Sequence, residues 1–325
     1  MEELLSQGRE KIVDGIAYSD DQPLAILVPS VIFGTDRSGA NYVSGPACVI
    51  KIEALTHESL WSALVQSGSL IFGQAEEIRQ VKERLQAGRT SRTSSYLLGR
   101  IKNCHDFLSA AERLEALKVL IVGCGGIGSM TALNLAGAGV RHITLIDGDR
   151  IEKSNLNRQF FWEDADVGKL KADQLKQVIG NRFADVDCII ANEFLSEDEI
   201  TERSRDHDVT IITADEPLGL GQSAMNGALH TADRLVISSG YFHQYLSIEA
   251  GNASTSYNSA TEDIQWRRSP GFIGPSFGPS NTELAGLIAS FTVNYVVDKG
   301  HGLNWQEGFK DVWDSRVFPR KSLRE

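Results

Sequence analysis

The residues best suited to chemistry in this chain begin at a glycine-rich turn. Gly123, Gly125, Gly126 and Gly128 form GCGGIG directly after the apolar run 118–122, KVLIV. Glycines at these positions permit a tight turn and close approach of backbone to a phosphate. The N-terminus of a following helix then offers free N–H groups and positive dipole to an anion. Asp147 stands 19 residues beyond Gly128, where a carboxylate belongs for hydrogen bonding to ribose hydroxyls. This pattern predicts a nucleotide site and leaves the reaction open, because a nicotinamide or flavin dehydrogenase would show it too.

The stretch after Asp147 separates these readings. Residues 145–159 read LIDGDRIEKSNLNRQ, and residues 167–171 read VGKLK. The first resembles the signature D-x-D-x-(V/I)-x-x-S-N-L-x-R-Q of the ThiF/MoeB and ubiquitin-activating superfamily of adenylating enzymes. The second resembles that family's V-G-x-x-K. The resemblance runs from about Lys118 to Ser239, with a weaker echo at 271–300. It implies ATP and Mg2+, and activation of a carboxylate as an acyl-adenylate. Attack of a carboxylate on the α-phosphorus gathers negative charge on the phosphates, which cations must meet. The resemblance assigns Asn155, Arg158 and Lys171 to the triphosphate and Asp147 to the ribose. It places Asp149 and Asp215 near magnesium, with Asp215 the candidate ligand, and Gln159 as a brace. Taken alone, Arg158 and Lys171 also fit solvated surface charges. Asp215 sits in ITADEP, where the family usually has T-D-N; a helix N-cap is its alternative role. Arg92, in SRTSSYL, resembles an arginine that relatives supply across a dimer interface. That reading implies a homodimer; the alternative is a plain linker arginine.

Two departures from the family pattern matter. The cysteines are Cys48, Cys104, Cys124 and Cys188, with no CxxC pair. A zinc site of the paired-CxxC kind is therefore not expected. No cysteine follows Cys188, which itself lies in the apolar run VDCIIA, so a covalent cysteine step is not expected either. Each cysteine reads as a small buried hydrophobe.

These residues need elements to position them. Residues 118–239 alternate strand and helix: strands at 118–122, 142–146, 186–191, 208–213 and 234–239, helices at 129–138, 169–180, 196–204 and near 221–232. Such alternation predicts an α/β fold with a doubly wound, mostly parallel, Rossmann-like sheet. A long loop at 251–282 and a helix at 282–298 complete this adenylation region, 118–325. Ahead of it, residues 1–88 form a small α+β, winged-helix-like module. It has strands at 24–33 and 47–52, a helix after the N-cap Thr56 that stops at Gly68, and a charged helix at 74–87. Residues 89–117 then hold a polar linker and a helical stretch at 96–114.

An added N-terminal module resembles family members that mature ribosomal peptides, of the microcin C7 and pantocin A type. There the module clamps a precursor's leader peptide as an extra strand on a sheet edge. The resemblance implies adenylation of a precursor-peptide carboxylate in antibiotic biosynthesis. The alternatives are a structural or dimerisation role for the module, activation of a ubiquitin-like sulfur carrier ending in Gly-Gly, and a non-catalytic binding subunit.

Composition sets the outer bounds. The chain has 325 residues, with 42% hydrophobic and 23% charged residues, enough for a sizeable core. A net charge of −11 argues against nucleic acid as a partner. With neither a long apolar run nor a secretory signal, the expected location is the cytoplasm, away from membranes.

Overall fold

A computed structural model of the chain describes residues 2–6, 8–221, 223, 225, 234–252, 254–255, 267–298 and 306–314. The chain divides into two compact units, Met1–Arg113 and Leu114–Glu325.

The N-terminal unit is built on short antiparallel strands. After α1 (Glu2–Leu5) come β1 (Glu10–Val13), β2 (Ile16–Ser19), β3 (Gln22–Leu27), β4 (Ile32–Thr35), β5 (Asn41–Ser44) and β6 (Val49–Ile52). Then follow α2 (His57–Gln66), β7 (Leu70–Phe72), α3 (Ala75–Gln86), α4 (Ser91–Leu98) and α5 (Cys104–Ala116), the last crossing the division. One sheet has the order β1-β2-β3-β7 and the other β4-β5-β6. The β1–β2 and β2–β3 turns place Asp14, Gly15, Asp20 and Asp21 at positive φ. Left-handed backbone at both central residues matches the twist of a two-residue hairpin, and Asp and Gly tolerate it. Thr56 caps α2, its side chain accepting from the Ser59 N–H. Leu60 and Leu64, one turn apart on α2, are fully buried with Val43 and Ala25 beneath the sheets.

Two expectations for this unit need correction. Residues 24–33 are not one strand: β3 ends at Leu27 and β4 begins at Ile32, in a different sheet. Pro29 has no N–H for a ladder, and the Val28 N–H turns to the Ser69 carbonyl at 2.8 Å. The expected linker at 88–95 is largely helical, since α4 starts at Ser91 and buries Ser94, Leu97 and Leu98 along one face. The single stretch expected at 96–114 is thus the end of α4, a break after Gly99, and α5.

The C-terminal unit is a seven-stranded sheet with the order β10-β9-β8-β11-β12-β13-β14. Its strands are β8 (Lys118–Val122), β9 (His142–Ile146), β10 (Asp187–Ala191), β11 (Val209–Ile212), β12 (Leu235–Phe242), β13 (Tyr245–Gly251) and β14 (Phe309–Asp314). The first five in that order pair in parallel, and β12, β13 and β14 pair antiparallel. The mostly parallel, doubly wound sheet expected from the alternation is present; β13 and β14 were not foreseen. The helices are α6 (Gly126–Ala138), α7 (Lys171–Arg182), α8 (Glu197–Ser204) and α9 (Gly278–Val297), with α9 packed along α6. α9 starts four residues before the predicted 282, with a proline in its first turn. Most of the helix expected near 221–232 falls outside the described residues, as do 253 and 256–266 of the expected loop. Among the described residues no helix is long and apolar enough to cross a membrane.

Strand order decides where a ligand goes. From β8 the chain crosses to β9 on one side, and β11 lies on the other. Such a reversal leaves a crevice outside the carboxyl ends of the strands. At that point Gly123 has φ +96, and a Cβ there would stand 2.7 Å from the Ala214 nitrogen. At Gly128 a Cβ would overlap the Gly123 carbonyl oxygen and approach Thr213 Oγ1 at 2.7 Å. α6 therefore lies against the turn at a spacing only glycine permits. Gly128→Ala is expected to destabilise this unit by about 3 kcal/mol, the upper end of ordinary overpacking. Urea unfolding should show it as a lowered midpoint; an unchanged midpoint would contradict this packing.

Candidate functional site

The crevice at the ends of β8, β9 and β11 holds a cavity of about 430 Å3. Ten of the predicted site residues line it: Gly123, Gly125, Gly126, Asp147, Asp149, Asn155, Arg158, Gln159, Lys171 and Asp215. Two do not. Gly128 lies beneath the turn as a packing residue. Arg92 is exposed on α4 of the N-terminal unit and is not among the lining residues.

The glycine turn is fixed from below by a carboxylate. Asp147, at the end of β9, is only 8% exposed. Its Oδ2 accepts the Cys124 N–H at 2.6 Å and its Oδ1 the Asp149 N–H at 2.7 Å. Burial pushes its pKa above the ordinary value. The nearby Lys171 ammonium and the two N–H donors pull it back. Lys171, the first residue of α7, is itself buried, and its Nζ pairs with Asp149 Oδ2 at 2.8 Å. The Lys171 N–H also donates to the Asp149 carbonyl at 3.0 Å. A buried ammonium must be paired, and this pair fixes the start of α7 against the segment after β9.

The S-N-L-x-R-Q segment folds as a short 3-10 turn, Lys153–Asn155, followed by Arg158 and Gln159. Asn155 is buried, and its Oδ1 accepts the Glu152 N–H at 3.1 Å, closing the turn. Arg158 Nη1 donates to the Ser154 carbonyl at 2.6 Å and to Asn157 Oδ1 at 3.0 Å, so the turn's own backbone carries the guanidinium. Gln159 is buried and accepts from Trp162 Nε1 at 2.7 Å. Its Nε2 lies 3.6 Å from where a Cβ on Gly125 would be.

Asp215 follows β11. Its side chain is 84% exposed, and its Oδ2 lies 3.7 Å from Arg268 Nη2. The same Nη2 donates to the Asp215 carbonyl at 2.7 Å, and Nη1 pairs with Glu216. Arg268 lies over the Phe272 ring, 4.8 Å from its centre. Its Nε is buried without a hydrogen-bond partner among the described residues. A buried donor left unmet costs roughly 1–3 kcal/mol.

Four lining residues stand out among those that sequence reasoning missed. Arg268 sits in a Gly- and Ser-rich region with no periodic pattern, where a basic residue is not distinguishable from a solvated one. Phe194, 68% exposed, lies against Gly148, beside Asp147. Asn281 touches Gly126: a Cβ on that glycine would overlap the Asn281 amide. Tyr241 Oη donates to Asn281 Oδ1 at 2.7 Å, tying the start of α9 to β12. The echo at 271–300 was the one signal that pointed toward Asn281.

Metal and thiol chemistry are constrained. Among the described residues no group of three His, Cys, Asp or Glu side chains is placed to hold a metal. Burial pushes the Cys104 thiol up to about 12 and Cys188 up to about 11. Cys124 is also raised by burial. Cys48 is exposed, in the N-terminal unit.

Comparison with known proteins agrees with this geometry. A family model described as ThiF family matches residues 103–304. The adenylyltransferase and sulfurtransferase uba4 of Emericella nidulans is 40% identical over 105 residues, 32% of this chain and 22% of that protein. The NEDD8-activating enzyme E1 catalytic subunit of Caenorhabditis elegans is 39% identical over 113 residues, 34% of this chain and 26% of that protein. The chain thus spans about a quarter or less of the length of these curated relatives. Among solved structures, E. coli MccB with AMPCPP and MccA superposes with a TM-score of 0.69 at 20% identity, covering 90% of this chain and 96% of that one. PaaA superposes with a TM-score of 0.60 at 21% identity, covering 89% and 97%. At such identities the likeness is one of fold.

The coupling between Lys171 and Asp147 is testable. Lys171→Met removes the cation that favours ionised Asp147, leaving burial less opposed. The Asp147 pKa should move further up, read from its side-chain carboxyl carbon by NMR titration. An unchanged titration would show that the ammonium does not act on Asp147.

Proposed function

Because this chain belongs to the ThiF family, we propose that it is an ATP-dependent adenylating enzyme acting on a carboxylate of a ribosomally made precursor peptide. The carboxylate oxygen attacks the α-phosphorus of ATP. The bond to the α,β-bridging oxygen breaks, its electron pair leaves with pyrophosphate, and acyl-AMP forms. The product then serves peptide modification or cyclisation in antibiotic biosynthesis, in the cytoplasm.

One observation carries the reading. Arg158, Lys171, Asn155 and Asp215, from three different segments, line one cavity with the glycine turn. A dehydrogenase needs the turn and the ribose carboxylate. It does not need two cations opposite them. In this reading Asp147 receives the ribose, Asn155, Arg158 and Lys171 receive the phosphates, and Gln159 braces Arg158's turn. Phe194 adds an exposed aromatic face for the base.

Magnesium fits the charges. The lining holds Arg150, Arg158, Lys171 and Arg268 against Asp147, Asp149, Glu152, Glu193, Asp215 and Glu216. An excess of acids repels a free triphosphate, and a divalent ion removes that repulsion. Mg2+ commonly binds through one or two carboxylates plus substrate phosphates, so a single exposed Asp215 suffices as protein ligand.

The N-terminal unit supports a peptide partner. β4 and β6 are the edges of its three-stranded sheet, and Ile32 and Val49 on them are 65% and 63% exposed. An extended leader can add to such an edge through main-chain hydrogen bonds. MccB has been solved in complex with N-formylated MccA and is described as a microcin C7 biosynthetic enzyme. Arg92, in a homodimer, is proposed to reach the partner's phosphates.

A second reading has its own support. The uba4 relatives are named adenylyltransferases and sulfurtransferases, which favours a ubiquitin-like sulfur carrier as the acid. The adenylation step is the same. The discriminator is the protein captured: a short peptide or a carrier ending in Gly-Gly. Three of the four thiols are buried, which weighs against a later persulfide or thioester step on this chain.

The acid substrate should trigger release of pyrophosphate and AMP from ATP. Arg158→Ala should lower that turnover by about 10²–10³, the loss typical of one charge-stabilising donor. Conversion of ATP only to ADP and phosphate would refute adenylation.

A further inference from the structure

We propose that Arg268 is the residue that receives and orients the substrate's carboxylate. The inference rests on the adenylation reading and names a specificity-determining residue within it.

The guanidinium has two usable edges. Nη1 is taken by Glu216, and Nη2 by the Asp215 carbonyl at 2.7 Å. Among the described residues Nε has no acceptor, although it is buried and belongs to a cavity-lining residue. Buried donors are nearly always met, so an orphan in a cavity wall points to a missing acceptor. One carboxylate oxygen can accept from Nε–H and the adjacent Nη2–H along that edge, leaving the second oxygen free.

The surroundings favour a carboxylate over a phosphate. Arg268 already holds carboxylate side chains, Glu216 directly and Asp215 at 3.7 Å. The Phe272 ring lies under it, and the neighbouring Ile273 is 90% exposed. An apolar floor beside the guanidinium suits an acyl chain and is a poor wall for a polyphosphate. The cations set beside the glycine turn, Arg158 and Lys171, come from other segments. Asp215, beside Arg268, keeps an exposed side chain in the same cavity. Reaction at the α-phosphorus requires one carboxylate oxygen to stay free as nucleophile. A side-on contact through the other oxygen satisfies that requirement.

Arginine Nε–H groups give resolvable NMR signals, and Arg268→Lys identifies the one that disappears. In protein saturated with Mg-AMPCPP, whose α,β-methylene cannot be cleaved, adding N-acetylglycine should shift the Arg268 Nε–H signal and slow its exchange with water. N-acetylglycinamide, which lacks the charge, should not. Arg268→Gln should abolish N-acetylglycine binding and leave the affinity for Mg-ATP within twofold. A shift produced by Mg-AMPCPP alone, with a tenfold loss of Mg-ATP affinity in Arg268→Gln, would assign the residue to phosphate and overturn the proposal. No shift with either probe would overturn it as well. These readouts need no turnover, so a failure to release pyrophosphate sinks the adenylation reading separately.

Discussion

A buried carboxylate at the end of a sheet strand is the constraint on which this site depends. Asp147 is largely out of water, and burial pushes its pKa up. Two backbone N–H groups and the Lys171 ammonium oppose that. One N–H comes from Cys124 in the glycine turn, the other from Asp149 in the segment that follows. The carboxylate therefore joins the two loops that must face a nucleotide from either side. Lys171 in turn is buried and needs Asp149. Each member satisfies a neighbour that would otherwise be costly to bury. This arrangement positions residues from 123 to 171 without a metal or a disulfide among the described residues.

Close packing supplies the second half of the geometry. The turn can lie against β11 only because Gly123 has no side chain to meet Ala214, and α6 can start where it does only because Gly128 has none to meet the Gly123 carbonyl. The same economy of space brings Asn281 of α9 against Gly126. Tyr241, Ser276, Ser280 and Asn281 form a hydrogen-bonded group there, with Ser280 and Asn281 fully buried. The segment carrying Arg268 and Phe272 runs directly into that group. The far wall of the cavity is thus attached to the glycine turn through α9, and shares its rigidity.

The parts of the fold set by local pattern were legible in the sequence. KVLIV, HITLI and VTIIT are short apolar runs, and a parallel strand covered on both faces needs just that. Thr56 and Ser196 announce helices because a hydroxyl there satisfies an orphan N–H. The motifs pointed to ten of the residues that line one cavity because their residue types and spacing are a sequence signature in themselves. What failed depended on contacts far apart in sequence. Residues 24–33 read as one strand because apolar content hid the exit at Pro29. Residues 88–95 read as linker because small polar residues do not reveal a helix held by tertiary burial. β13 and β14 pair antiparallel at the far side of the sheet, and no local spacing encodes that. Arg268 belongs with this group: its meaning comes from Asp215 and Glu216, some fifty residues earlier in the chain.

The cavity's charge pattern carries a consequence for how such a site selects its ligands. Two of its cations are already matched, Lys171 by Asp149 and Arg268 by Asp215 and Glu216. An incoming anion therefore exchanges one acid partner for another and does not meet a bare charge. Such exchange costs little when the geometry is bidentate and much when it is not, because the displaced acid must find water or a metal. Asp149 and Asp215, which partner these two cations, have exposed side chains, 54% and 84%. They can be released to solvent or to a divalent ion, whereas Asp147 cannot. The buried carboxylate is thus a fixed anchor, and the exposed pair is the counter-charge that, under the proposed function, a metal-bound triphosphate would replace.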